Sequence, residues 1–98
     1  MIVIKETELF AQWLKALRDP TAKAKIASRI RRLAYGNPGD VAPIGGGLSE
    51  MRIHYGPGYR VYFMQNGIES VLLLGGGDKS TQNKDILRAR ALAKDFLP

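Results

Sequence analysis

Residues able to grip a phosphate and move a proton fall together on one side of two neighbouring strand-like runs. In Leu48-Ser49-Glu50-Met51-Arg52-Ile53-His54 the apolar Met51 and Ile53 alternate with Glu50, Arg52 and His54, so one face meets a core and the other meets solvent. Tyr59-Arg60-Val61-Tyr62-Phe63-Met64-Gln65 repeats the pattern, with Tyr59, Val61 and Phe63 on the apolar parity and Arg60, Tyr62 and Met64 opposite. Arginine presents a planar fork of donors that matches phosphate oxygens. On a strand face, Arg60 needs such an anion or a carboxylate such as Glu50 beside it. Histidine changes charge near neutrality without help, and His54 is the single histidine of the chain. Neighbouring cations favour its neutral form, which a general base requires.

A second candidate lies farther on, in Gly75-Gly76-Gly77-Asp78-Lys79-Ser80. Glycines beside a helix N-terminus expose N–H groups, and Lys79 and Ser80 add a positive charge and a hydroxyl, a combination suited to an anion. A nucleotide-binding loop is excluded on spacing, because it needs Gly directly before the Lys and another Gly five residues ahead of that one.

The elements that must position these groups follow from periodicity and punctuation. Tyr55-Gly56-Pro57-Gly58 reads as a turn, which pairs the two runs as a hairpin. Met51 and Ile53 share a face with Val61 and Phe63 only if the loop holds an odd number of residues, since a one-residue slip flips every side chain. Arg52, His54, Arg60 and Tyr62 then share the other face. Upstream, Ile2-Val3-Ile4 reads as a first strand. Thr7 caps a helix whose Leu9, Phe10, Trp13, Leu14 and Leu17 form one stripe. Asp19-Pro20 breaks it and opens a second helix from about Thr21 to Tyr35, with Ala22, Ile26, Ala27, Ile30 and Leu33 inside and Lys23, Lys25, Arg29, Arg31 and Arg32 mostly outside. The two form a helical hairpin packed on a sheet. Asp40 to Gly47 reads as a loop. Asn66-Gly67 signals a second hairpin with both central residues at positive φ, followed by Ser70-Val71-Leu72-Leu73-Leu74, apolar on both parities and therefore central. Ser80 or Thr81 caps a last helix to about Phe96, with Ile86, Ala89, Leu92, Ala93 and Phe96 inward. The expected fold is α+β, in the order β-α-α-β-β-β-α, with a mainly antiparallel sheet.

Bulk properties narrow the function. Ninety-eight residues with 45% apolar content suit one domain spanning 1–98. A net charge of +6 points to an acidic partner, with nucleic acid first. The absence of cysteine excludes disulfides and thiolate metal sites and favours a reducing compartment. One histidine makes a zinc site improbable, so no metal or cofactor is expected. No run reaches transmembrane length and the start lacks a signal-peptide core, so the expectation is a cytoplasmic protein without a membrane partner.

Two segments carry a resemblance. Glu50-Met51-Arg52-Ile53-His54-Tyr55-Gly56-Pro57-Gly58-Tyr59-Arg60-Val61-Tyr62-Phe63, and Leu74-Gly75-Gly76-Gly77-Asp78-Lys79-Ser80-Thr81-Gln82 followed by Asp85-Ile86, resemble the HigB/RelE-type toxins of bacterial toxin–antitoxin systems, in the phage-related addiction module killer protein branch. The likeness covers nearly the whole chain and implies a RelE/ParE-like fold. It further implies a ribosome-dependent endoribonuclease, or mRNA interferase, that cuts messenger RNA without metal and is silenced by a cognate antitoxin, expected to be of helix-turn-helix type. Arg60 corresponds to the family's strand arginine at the scissile phosphate, and Lys79 to a basic residue after the last strand. Arg52 and His54 would widen the basic groove, and Ser80 joins Arg52, Arg60 and Lys79 as an RNA- or phosphate-binding candidate. Relatives often place a Tyr or a Tyr-His pair near the chain end for proton transfer, whereas this sequence has neither after Tyr62. Either His54 or Tyr62 takes that role, or cleavage is slow or absent. Two alternatives stay open: a non-catalytic gyrase-inhibiting toxin of the same fold, and a non-toxic basic nucleic-acid-binding module.

Overall fold

The computed structural model describes residues 1–96. The chain runs β1 (Val3–Glu6), α1 (Glu8–Ala16), α2 (Pro20–Ala34), β2 (Val41–Gly45), β3 (Leu48–Ile53), β4 (Tyr59–Asn66), β5 (Ser70–Gly77) and α3 (Gln82–Ala93), with short 3₁₀ turns at Lys79–Thr81 and Lys94–Phe96. The sheet order is β1-β5-β4-β3-β2. β1 pairs in parallel with β5, and all other pairings are antiparallel. The architecture is therefore α+β with a five-stranded, mostly antiparallel sheet. It has one strand more than expected, because Val41–Gly45 pairs with β3. Pro43 cannot donate to a ladder, yet an edge strand tolerates it, since its missing N–H costs nothing on the side facing solvent.

Local chemistry sets the helix boundaries. The Thr7 hydroxyl accepts from the Phe10 amide and caps α1, while Asp19 caps α2 by accepting from the Thr21 and Ala22 amides, with Pro20 in the first turn. Phe10 of α1 and Ile26 and Leu33 of α2 pack in one core with Met51, Ile53, Val61, Phe63, Val71 and Leu73. Complete burial of side chains this size contributes roughly 1.5–3 kcal/mol each. Ala27, expected inside, is exposed.

The opposite sheet face is also covered. Leu48, Tyr62, Met64 and Leu74 form a second core with Ala89 and Ala93 of α3, whose small side chains let the helix lie close to the strands. Arg90 secures the far edge, its Nη1 donating to the Gly45 carbonyl at 3.1 Å and its Nη2 to that of Ile44. Phe96, expected inward, is 53% exposed. β5 is an interior strand, between β1 and β4, and continues through its three glycines, where Gly75, Gly76 and Gly77 face Tyr62, Val61 and Arg60. Glycine is required at position 76, because a Cβ there would lie 2.4 Å from the Trp13 ring. The β4–β5 connection differs from the expected two-residue turn. Asn66 pairs with Ser70, leaving a three-residue loop in which only Gly67 has positive φ. Among the described residues, no helix is long and apolar enough to cross a membrane.

Candidate nucleic-acid interface

The β3–β4 hairpin holds the candidate site at its tip. The register pairs Met51 with Val61 and Ile53 with Tyr59, so the apolar parity reaches the core as the alternation demands, and the connecting residues 54–58 are odd in number. The Gly58 amide donates to the Tyr55 carbonyl at 3.1 Å, closing the turn, with Gly56 and Gly58 at φ of 57° and 79°. Those left-handed positions disfavour any residue with a Cβ. The Lys79 amide donates to the Pro57 carbonyl at 3.4 Å, which ties the start of the last helical segment to the turn. His54, Tyr55, Gly56, Pro57, Gly58, Arg60 and Lys79 line one open recess of about 410 Å³. The structure thus brings together three of the four candidate catalytic residues, His54, Arg60 and Lys79.

Arg60 is held from behind. It lies directly opposite Arg52 across the ladder, a like-charge pairing that is unfavourable by itself. The buried Glu50 carboxylate answers both charges: Oε1 lies 3.1 Å from Arg60 Nε and Oε2 lies 3.4 Å from Arg52 Nε. The Arg60 contact is an ion pair without hydrogen-bond geometry, since that Nε–H has no acceptor in line among the described residues. Gln82 of α3 also donates to Glu50 Oε1, at 2.5 Å. The Arg60 side chain is only 11% exposed, and its Nη1 approaches the Gly58 carbonyl at 3.5 Å, beside the recess. Glu50, with Asp40 on the far side of Arg52, offsets the two guanidiniums, so the unpaired positive charge at the recess is that of Lys79. The Lys79 side chain is exposed and has no hydrogen bond or ion pair among the described residues.

His54 has a different neighbour from the one its sequence context suggested. Its Nε2 lies 2.5 Å from Asp40 Oδ2, so a carboxylate and not a cation is its direct partner. Asp40 Oδ1 lies 3.4 Å from Arg52 Nη1. The hydrogen bond from His54 holds the Asp40 carboxyl below its ordinary range, against a smaller opposing effect of burial, and Arg52 adds to the lowering. Arg52 is therefore shared between Asp40 and Glu50. It stands next to the recess and does not line it.

Two expectations are corrected by position. Tyr62 is fully buried beneath α3, and its hydroxyl has no hydrogen-bond partner among the described residues. Burial, with Glu50 and then Asp85 nearby, pushes the phenol up to about 12. The parity that linked Tyr62 to Arg60 is correct, but α3 closes over that part of the face, so Tyr62 does not reach the recess. Ser80 is likewise occupied: its amide and hydroxyl both donate to Asp78 Oδ1, at 2.8 and 2.5 Å. The anion expected at this turn is replaced by the chain's own carboxylate. A larger recess of about 510 Å³ beside Trp13 and the three glycines mixes Asp78 and Asp85 with Lys84 and Arg88, and these offsetting charges suit an anion less well.

Asp40 and Tyr55 are the site residues that sequence reasoning missed. The Tyr55 hydroxyl donates to Asp19 Oδ2 at 2.9 Å, which anchors the turn to the start of α2. Asp40 gave no local signal. Recognising β2 would have found it, because pairing Val41 with Met51 sets Asp40 beside Arg52.

An α+β domain with a basic recess at a hairpin tip is what the fold and the site define. No family model matches the chain. It is 53% identical over 96 residues to an uncharacterized protein of Haemophilus influenzae, an alignment covering 97% of this chain and 96% of that protein. The chain belongs to the same family as that protein.

Proposed function

We propose that this protein is the toxin of a type II toxin–antitoxin system, with a RelE/ParE-like fold and a metal-independent endoribonuclease activity on messenger RNA at the ribosome. The observation that carries the reading is the shared recess of Arg60, Lys79 and His54. Cleavage by attack of the RNA 2′-hydroxyl needs a proton acceptor, charge to stabilise the pentavalent phosphate, and a proton for the leaving oxygen. His54 supplies the acceptor, Arg60 and Lys79 supply the charge, and the Lys79 ammonium donates the proton to the leaving oxygen. The mostly antiparallel sheet and the sequence likeness support the fold assignment. The partner that silences such a protein is an antitoxin of helix-turn-helix type, and the site of action is the cytoplasm.

Induction of the protein in a bacterium tests this reading. It should stop growth and translation, with new RNA ends inside translated codons. Intact transcripts in arrested cells would overturn it. The burial of Tyr62 favours a second reading, because it takes a phenol hydroxyl away from the recess as a proton donor. A gyrase-inhibiting toxin of the same fold needs no proton transfer, and its induction would trigger a DNA-damage response while translation continued.

A further inference from the structure

We infer that Asp40 is a positioning residue that fixes the His54 imidazole in a single tautomer and leaves Nδ1 as the proton acceptor at the recess shared with Arg60 and Lys79. The inference rests on the nuclease reading and deepens it. The backbone holds Asp40 first. Its carbonyl accepts from the Arg52 amide at 3.0 Å and from Arg29 Nη2 at 3.1 Å, and the next residue, Val41, pairs with Met51. Its two carboxylate oxygens then have separate tasks, Oδ1 toward Arg52 and Oδ2 toward His54 Nε2.

An ionised carboxylate only accepts hydrogen bonds. A neutral imidazole beside it must therefore carry its hydrogen on Nε2, which places the lone pair on Nδ1. That nitrogen has no hydrogen bond among the described residues, and the His54 side chain is 72% exposed, so it is open to an incoming hydroxyl. When Nδ1 takes the proton, the bond to the substrate oxygen's hydrogen breaks and the imidazolium formed lies against Asp40. The carboxylate stabilises that charge where it develops. The lowered Asp40 carboxyl keeps the acceptor ionised throughout the neutral range. A pair this exposed adds little to folding stability, so its consequence is orientation.

The single histidine makes the test direct. Nitrogen NMR of the labelled imidazole should show the neutral ring protonated on Nε2 in the wild type. In Asp40→Asn the ring should lose that preference, because an amide can donate to Nε2 as well as accept from it, while the rest of the spectrum stays unchanged. Cleavage of translated messenger RNA by Asp40→Asn should fall by about tenfold or more, approaching the roughly hundredfold loss expected for His54→Ala, and Asp40→Glu should recover part of it. A wild-type ring protonated on Nδ1 overturns the inference. So does an Asp40→Asn protein with full cleavage while His54→Ala is inactive, a result that leaves the nuclease reading standing. A wild-type protein that cleaves nothing, with the Nε2 tautomer intact, removes the nuclease reading and this inference with it.

Discussion

Arg60 and Tyr62 share one parity of β4, two residues apart, yet their surroundings differ in kind. Around Tyr62 the sheet face is apolar and closed, with Leu48, Met64 and Leu74 beside it and Ala89 and Ala93 of α3 across from it. Around Arg60 the face carries Arg52, Glu50 and, past the hairpin tip, His54 and Lys79. Side-chain alternation made these two halves equivalent. What separates them is where α3 begins: Gln82, its first residue, contacts Glu50, and the helix then runs over Tyr62 and away from the tip. A shared strand parity therefore says which residues point the same way, and only the covering element says which of them meet solvent.

The largest test of that contrast is Arg60→Ala. Cleavage should fall by roughly a hundredfold or more, as it does when one preorganised charge donor is lost. The fold should also weaken by about 2 kcal/mol, because the substitution leaves the buried Glu50 carboxylate with fewer partners. Loss of a sole partner in a buried pair costs about 3–5 kcal/mol, but Arg52 and Gln82 still hold Glu50. A surface residue would change stability by only about 0.5 kcal/mol, so a denaturant titration distinguishes a buried Arg60 from an exposed one.

Lys79→Ala sharpens the same comparison from the solvent side. With no side-chain partner to strand, it should leave stability within about 0.5 kcal/mol and lower cleavage by roughly tenfold. Full toxicity in this variant would remove Lys79 from the site.

The smallest effect belongs to the closed half. Tyr62→Phe deletes a buried hydroxyl that has no partner, so it should gain about 1 kcal/mol of stability and retain cleavage. Loss of cleavage with the fold intact would put Tyr62 back in the chemistry. Its titration has a definite sign. The folded phenol is raised to about 12 from 10.0, so the neutral form is favoured by folding. The corresponding stability is complete below about pH 10 and is lost as pH rises toward 12. In Tyr62→Phe that alkaline loss should shrink, which unfolding measured across this window would show.

The legible parts of this fold were those written within a few residues. The cap at Thr7, the helix break at Asp19-Pro20, the hairpin turn at Tyr55–Gly58 and the alternation through Met51, Ile53, Val61 and Phe63 each rest on local backbone or side-chain preference, and each appears in the structure. β2 gives no strand signal of its own, because Val41-Ala42-Pro43-Ile44 runs into Gly45-Gly46-Gly47, and only pairing with β3 makes it a strand. Helical spacing predicts Phe96 and Ala27 inward, but both are exposed.

The sequence alone determined the ingredients of the site: Arg60, Lys79 and His54, the glycines that shape the turn, and the parity that points Arg60 away from the main core. Each follows from residue type or from a period of two along one strand. The tertiary structure decided the rest. It brought Asp40 to His54 across 14 residues of chain, set Glu50 between two opposed arginines, turned Asp78 onto Ser80, and laid α3 over Tyr62. These depend on which elements pack together: helical spacing shows the inward face of α3, with Ile86, Ala89, Leu92 and Ala93 all at the second core, but not which part of the sheet that face covers. Its close approach comes from the small side chains of Ala89 and Ala93, whose value to packing exists only once the sheet is beneath them.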